Sequence, residues 1–428
     1  MKIKLVTFAP HPNFGTCLQS YALNFVLRKM GHDVEFIYNR RETPPPSIRH
    51  YVFAALKRIL RIFLPERQIN RWKERKDVMM RKGRSDSNSP VILQLPNHRV
   101  LGFLSKRLGY KFLAKKWYYG NLQKRKVYKF TFEDDNFNMR RLFTHDDYSK
   151  VVADADLFIT GSDQIWNPFC GGYNPMMFLE FVHDGTKCVA YSSSISLPEL
   201  PASVKQRMKT DLEKFQHIAV REQRSVELLS ELLHRDDIKL VVDPTYLLTV
   251  KEWEDFGNRA EIEFEVPDKY IFCYFVGDKR VDVYERMVQD VKRFTGIKDV
   301  ITLECYNRDL NYGNGRLYKD AGPYEWVYLL RHASYVCMDS FHATVFALKF
   351  QKEFVHAMKN EDKETGSQNT RMYDILSRYG ILYKNYIGEA GSEWKKKIDY
   401  LQLNVLLEKE INESMEYLKF EICSHNSV

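Results

Sequence analysis

Four short segments of this 428-residue chain carry residue types suited to chemistry on polar or anionic substrates. The loop PHPNFG, Pro10–Gly15, sits between an apolar run and a helical one, where the free N–H groups of a helix start can meet an anion. Asn13 suits a ligand contact or a helix cap, and Gly15 allows close approach of the backbone. In GSDQIWNP, Gly161–Pro168, Asp163 can act as a general base, Gln164 can bond hydroxyls and Trp166 can stack on a sugar face. The structural alternative has Ser162 and Asp163 capping a helix while Trp166 fills the core. IAVRE, Ile218–Glu222, ends a buried strand on Arg221, whose planar cation suits a carboxylate or phosphate, or an ion pair with Glu222. Asp243 in the nearby VVDPT reads as structural. In MDSFHATVFAL, Met338–Leu348, Asp339, Ser340 and His342 lie between a strand and an apolar helix. A histidine there can transfer protons near neutral pH and touch an anion held by the helix dipole, or it can be a satisfied structural residue. Lys279 and Arg280 after Val276, and Arg371 at a helix start, add further cations.

These segments fall at the ends of apolar runs, so the order of elements matters. Lys2–Phe8 reads as a strand, Thr16–Met30 as a helix ending at Gly31, and Val34–Tyr38 as a second strand, a βαβ opening. Strands are expected at Leu157–Thr160, Cys188–Tyr191, Ile218–Val220 and Leu240–Val242, with helices at Val204–Phe215 and Gln223–Leu233. A second series starts at Tyr270–Val276 and continues through Val281–Phe294, Val300–Leu303, Tyr324–His332, Tyr335–Met338, Phe341–Leu348 and Phe354–His356. Parallel strands need such crossovers, so the sequence predicts an α/β fold of two Rossmann-like lobes. Residues 1–250 form the first lobe with a basic insertion at about 40–130, 251–268 a polar linker, 269–390 the second lobe and 391–428 a helical tail. GxGxxG is absent from the first loop, so no dinucleotide fingerprint is present there.

Composition narrows the classes. A chain with 44% hydrophobic and 14% aromatic residues buries enough apolar surface to fold, which excludes disordered and fibrous proteins. Between Arg40 and Phe130 stand 24 Lys/Arg and 5 Asp/Glu, leaving 41 basic and 51 acidic residues for the rest. The net charge of +9 is therefore a property of one segment on an acidic body, and it points to a local anionic surface or membrane rather than to nucleic acid. No uncharged apolar run is long enough to span a bilayer, and Met1 leads into a strand rather than a signal peptide. The seven scattered cysteines contain no CxxC pair, which argues against zinc or a disulfide framework and fits a reducing cytosol.

NFGTCLQSYAL, GSDQIWN, VREQRSVELL, VVDPTYLL, DSFHATVFAL and NTRMYDIL, in that order, resemble the motifs of the polysaccharide pyruvyl transferase family. The likeness runs from Lys2 to about Ile381 and leaves the insertion and last helices unmatched. It implies a GT-B-like arrangement with the active site in the interlobe cleft. It also implies transfer of the pyruvyl group of phosphoenolpyruvate to a hydroxyl pair of a bacterial-type surface or capsular polysaccharide precursor, as a ketal. Some relatives have an arginine two residues before the histidine of the DSFH motif; Ser340 stands here, so anion binding by an arginine at that place does not carry over. On this scheme His342 is the acid and Asp163 the base for the acceptor hydroxyls. Arg221 with Lys279 or Arg371 holds the anions, and Asn13, Gly15, Gln164 and Trp166 lie near the sugar. No metal or nucleotide cofactor is required.

Two rival readings share parts of this evidence. A GT-B glycosyltransferase using a nucleotide sugar would have the same lobes, and a basic membrane- or nucleic-acid-binding protein without catalysis would explain the insertion. Within that insertion, Ile48–Leu64 places Lys57, Arg58 and Arg61 on one helical face and Phe53, Leu56, Leu60, Phe63 and Leu64 on a wide apolar surface. This suits an interfacial helix on an anionic membrane, or equally a helical hairpin packed on the lobe. The expected setting is the cytoplasm, at the inner face of the cell membrane if the acceptor is lipid-linked.

Overall fold

The alternation of apolar and helical runs becomes two sheets in which every strand pairing is parallel. The computed structural model describes residues 1–8, 13–38, 126–132, 137–142, 145–183, 185–305, 310–362, 366–388 and 392–422. The chain divides into Met1–Asn39 with Lys124–Val428, and Arg40–Gln123. The expected interfacial helix at Ile48–Leu64 lies outside the described residues.

The first sheet comprises β1 (Lys2–Val6), β2 (Asp33–Tyr38), β3 (Met139–Arg141), β4 (Leu157–Thr160), β5 (Lys187–Ser193), β6 (His217–Val220) and β7 (Lys239–Leu240), in the order β3-β2-β1-β4-β5-β6-β7. Ile3 pairs with Val34 on one side and Leu157 on the other. The second comprises β8 (Tyr270–Tyr274), β9 (Asp299–Leu303), β10 (Arg316–Tyr318), β11 (Tyr335–Met338) and β12 (Phe354–His356), in the order β10-β9-β8-β11-β12. The short edge strands β3 and β10 were not expected from the sequence. In each sheet the chain steps outward in one direction and then returns to the other side of its first strand. The reversal falls between β1 and β4 and between β8 and β11, where parallel sheets leave a crevice at their carboxyl ends.

The helices that connect and follow these strands include α1 (Phe14–Lys29), α2 (Gln223–Leu233), α3 (Val250–Gly257), α4 (Pro323–His332), α5 (Phe341–Lys349), α6 (Thr370–Arg378) and α7 (Tyr400–Glu416). Asn13 caps α1 by accepting from Thr16 N at 3.3 Å, and Ser340 caps α5 by accepting from Ala343 N at 3.4 Å. Thr249 and Glu252 form a capping box at α3. The stretch predicted as a polar linker thus contains a helix whose Trp253 and Phe256 are buried. Helix α1 is buried along almost its whole length because it packs on both halves of the molecule. Phe14 meets Tyr274 and Trp326, with ring centroids 5.7 and 6.5 Å apart, and Tyr21 meets Phe256 at 4.8 Å. One apolar core therefore runs from Ile3 and Leu5 of β1 to Val336 of β11. The terminal helix touches both halves as well: Ser414 Oγ accepts from Val242 N at 3.0 Å, and Glu410 accepts from the Tyr379 hydroxyl at 2.7 Å.

Candidate active site

A cavity of 360 Å³ opens at the reversal points of both sheets. Thr16 and Asn13 enter it after β1, Asp163 and Gln164 after β4, Ser340 and His342 after β11, Lys359 after β12, and Arg371 from the start of α6. Strand ends deliver these residues because side chains beyond the last ladder bond are free to point into the crevice.

Asp163 occupies the left-handed region, with φ of 78°. Its carbonyl accepts from Ile165 N at 2.8 Å and Ser194 N at 3.0 Å, and its carboxylate from Thr16 Oγ1 at 2.6 Å and Gln164 N at 2.8 Å. These bonds hold a conformation that a non-glycine residue otherwise resists. Burial would raise its pKa, but the charges of His342 and Arg221 and the Thr16 bond outweigh it, so the carboxyl is held below its ordinary range.

Behind the cavity wall, Asp243 is buried and gathers four donors. It accepts from Arg221 Nη1 at 2.8 Å, Ser162 Oγ at 3.0 Å, Thr245 Oγ1 at 2.7 Å and Thr245 N at 3.1 Å. His342 Nε2 lies 3.5 Å from the same carboxylate and is buried without a hydrogen-bond partner. Burial opposes ionisation of Asp243, yet His342 and Arg221 overcome it and hold the carboxyl far below the ordinary range. His342 is fixed from its other side by Gly15: a Cβ at that position would lie 2.4 Å from His342 Nδ1.

Arg221 is not among the residues lining the cavity. Its guanidinium stacks on Phe341 at 4.1 Å and is surrounded by Asp243, Glu222 at 3.4 Å and Asp163 at 4.0 Å. Glu222 is anchored in turn by Ser194 Oγ at 2.5 Å, Ser196 Oγ at 3.2 Å and Ser225 Oγ at 2.9 Å. The free cationic charge lies elsewhere. Arg371 approaches Phe341 at 5.7 Å, and its buried Nε has no partner. With the Gln164 amide turned so that its oxygen faces the guanidinium, Arg371 Nη1 donates to it at 2.5 Å. Burial and the like charge of Arg221 lower the Arg371 pKa; burial and Arg371 lower that of Lys359. Among the described residues neither Arg371 nor Lys359 forms an ion pair. Two half-buried cations without carboxylate partners are costly unless an anion joins them.

The structure thus unites His342, Asp163, Ser340, Asn13, Gln164 and Arg371 of the sequence-predicted set around one cavity. It corrects four assignments. Trp166 is buried, donates from Nε1 to the Met177 carbonyl at 3.0 Å and stacks on Phe178, so it offers no face to a sugar. Gly15 makes room for His342 rather than for a ligand. Arg221 is neutralised behind the wall. Lys279 is exposed and does not line the cavity. Asp339, adjacent to the motif histidine, latches the loop after β8 by accepting from Val276 N at 2.6 Å, Gly277 N at 2.7 Å and the Tyr284 hydroxyl at 2.7 Å. Thr16, Lys359 and the carboxylate hub Asp243 were missed. For Lys359 the available signal was a lysine just past the apolar run Phe354–His356. Among the described residues no three His, Cys, Asp or Glu side chains cluster as a metal site would.

Residues 13–360 match the polysaccharide pyruvyl transferase family, a span that contains every cavity residue between Asn13 and Lys359. The chain belongs to that family. As a polysaccharide pyruvyl transferase family member it is a transferase, with a polysaccharide acceptor implied. No curated protein matches its sequence. Among solved structures it is similar to a UDP-GlcNAc 2-epimerase from Neisseria meningitidis bound to UDP-GlcNAc, at 10% identity over 97% of this chain and 94% of that one, with a TM-score of 0.46. It is also similar to the glycosyltransferase SnogD from Streptomyces nogalater, at 13% identity over 97% and 95%, with a TM-score of 0.41. The two Rossmann-like lobes rest on the sheets themselves. No helix among the described residues is long and apolar enough to cross a membrane.

Proposed function

We propose that this transferase moves the pyruvyl group of phosphoenolpyruvate onto two hydroxyls of one sugar in a polysaccharide precursor, forming a cyclic ketal and releasing phosphate. The observation that carries this reading is the gathering of two cations that form no ion pair among the described residues, Arg371 and Lys359, with His342 and an ionised Asp163 in one cavity. Phosphoenolpyruvate presents a phosphate and a carboxylate within one small molecule, and two separate cations suit it.

His342 donates a proton to the methylene carbon, leaving an oxocarbenium-like centre at the carbon that bears the phosphate. One sugar hydroxyl attacks that carbon and gives its proton to Asp163. The carbon–oxygen bond to phosphate then breaks, and phosphate departs against Arg371 and Lys359 with that proton. The second hydroxyl closes the ring and its proton returns His342 to its starting state. Asp243, 3.5 Å away, balances the charge of His342 at the start and end of the cycle, when the imidazole carries its proton. The acceptor reaches the cavity from the side of Asn13, Thr16 and Gln164.

Two measurements test this. Thermal stabilisation by phosphoenolpyruvate but not by nucleoside diphosphates is expected, and the reverse result would make the chain a nucleotide-sugar glycosyltransferase. Mass spectrometry of products from lipid-linked and nucleotide-linked sugars should show a pyruvate ketal with the wild type and none with His342→Ala. Full transfer by a folded His342→Ala protein would remove the proposed acid.

A further inference from the structure

A second polar cavity, 310 Å³ in volume, opens where α3 meets the carboxyl-terminal ends of α4 and α5. Arg331, His332, Lys349 and Lys352 line it together with a single carboxylate, Glu254. Arg331 already pairs with that carboxylate at 2.5 Å. Lys349 donates to the Tyr246 carbonyl at 2.9 Å, and burial pulls its amine down to about 8. Among the described residues the Lys352 ammonium has neither ion pair nor hydrogen bond. Burial and the like charge of Arg331 both lower the pKa of Lys352. Two cations thus press on each other in a half-buried site within a body that is otherwise net acidic.

The plain alternative is that these cations complement two helix ends. Arg331, His332 and Lys349 stand in last turns and fit it, but Lys352 lies beyond α5 and does not. Glu252 and Glu408 act on the charge of Lys349, whereas Lys352 is opposed only by burial and by the like charge of Arg331. Lys352 is therefore the cation that neither the helix ends nor the neighbouring carboxylates match.

We propose that this cavity binds a phosphate-class oxyanion, either inorganic phosphate or the phosphate of a small monoester. The site is independent of the reaction proposed above, although Lys349 ends the helix that begins beside His342.

Calorimetric titration of the full chain with inorganic phosphate and, separately, glycerol 3-phosphate tests the assignment. Wild type is expected to take up phosphate at two places, the cavity of Lys359 and this one. Lys359→Ala removes the first. Lys352→Ala and the double variant Lys349→Met/Lys352→Ala weaken the second by about tenfold or more, since a charge-assisted bond is lost. Tighter binding of the ester identifies a monoester as the ligand, and tighter binding of the free ion identifies phosphate. Lys352 holds no other group, so Lys352→Ala should melt as wild type does. Titrations of that variant indistinguishable from wild type with both probes would overturn the site.

Discussion

Replacing Gly15 with Ala should disable the enzyme by moving a residue it does not bond to. The new methyl carbon would lie 2.4 Å from His342 Nδ1, 2.5 Å from Cγ and 2.6 Å from Cβ, where ordinary contact begins at 3.4 Å. Rotation of the imidazole cannot relieve the third of these contacts, because Cβ does not move with the side-chain torsions. The starts of α1 and α5 must separate by about 1 Å. Overpacking of this kind costs about 1–3 kcal/mol, and the better helix propensity of Ala offsets about 1 kcal/mol of it. For a body this large the melting temperature should fall by only about 5 °C or less. Turnover is more sensitive, because a catalytic group displaced by about 1 Å loses about a hundredfold in rate. The assay is phosphate release from phosphoenolpyruvate in the presence of acceptor, with donor affinity followed by thermal stabilisation. A hundredfold loss of kcat with donor affinity within about threefold of wild type is the expected result. Wild-type turnover by a folded Gly15→Ala protein would refute the claim that His342 is held by that contact.

Arg371→Ala should weaken phosphoenolpyruvate binding by about ten- to a hundredfold, with partial recovery in Arg371→Lys, as read from the donor concentration that half-stabilises the protein; unchanged affinity would move the anion site elsewhere. Asp243→Asn should cost about 3–5 kcal/mol at pH 7 by chemical denaturation, since Arg221 loses its closest carboxylate. Because the folded-state pKa of Asp243 lies below its unfolded value, its contribution is complete above about pH 4 and fades as pH falls further, so the gap between wild type and variant should narrow there. Trp166→Phe should lower the melting temperature through loss of the bond to Met177, about 1 kcal/mol, and leave turnover within about twofold; a large rise in acceptor KM would restore a sugar-binding role.

Much of the fold was legible because its strands are short, continuous apolar runs, as parallel strands buried on both faces must be. The two edge strands were hidden for the complementary reason: MRR and RLY are short and charged, and their pairing is set by the neighbouring strand rather than by their own composition. The residues of the candidate site were legible wherever a motif sat at a strand end, as for Asp163 and His342, which line one cavity. It was not legible where function depends on which charge neutralises which. Arg221 and Arg371 look alike in sequence, yet among the described residues three carboxylates surround the first and none forms an ion pair with the second. Asp243 read as structural because its partners, Arg221 and His342, are 22 residues before it and 99 residues after it. Trp166 shares its segment with Asp163 but turns into the core, because the left-handed backbone at Asp163 redirects the chain.

The unbroken core also sets the order in which the molecule can be made. As the chain leaves the ribosome, α1 appears early, but the rings that meet Phe14 belong to Tyr274 and Trp326, and those of Trp253 and Phe256 on Tyr21 are likewise synthesised much later. A nascent chain ending before those residues contains Asp163 and Arg221 but lacks His342 and the rings that cover Phe14. Completion of the second sheet therefore seals the first and arms it in the same step.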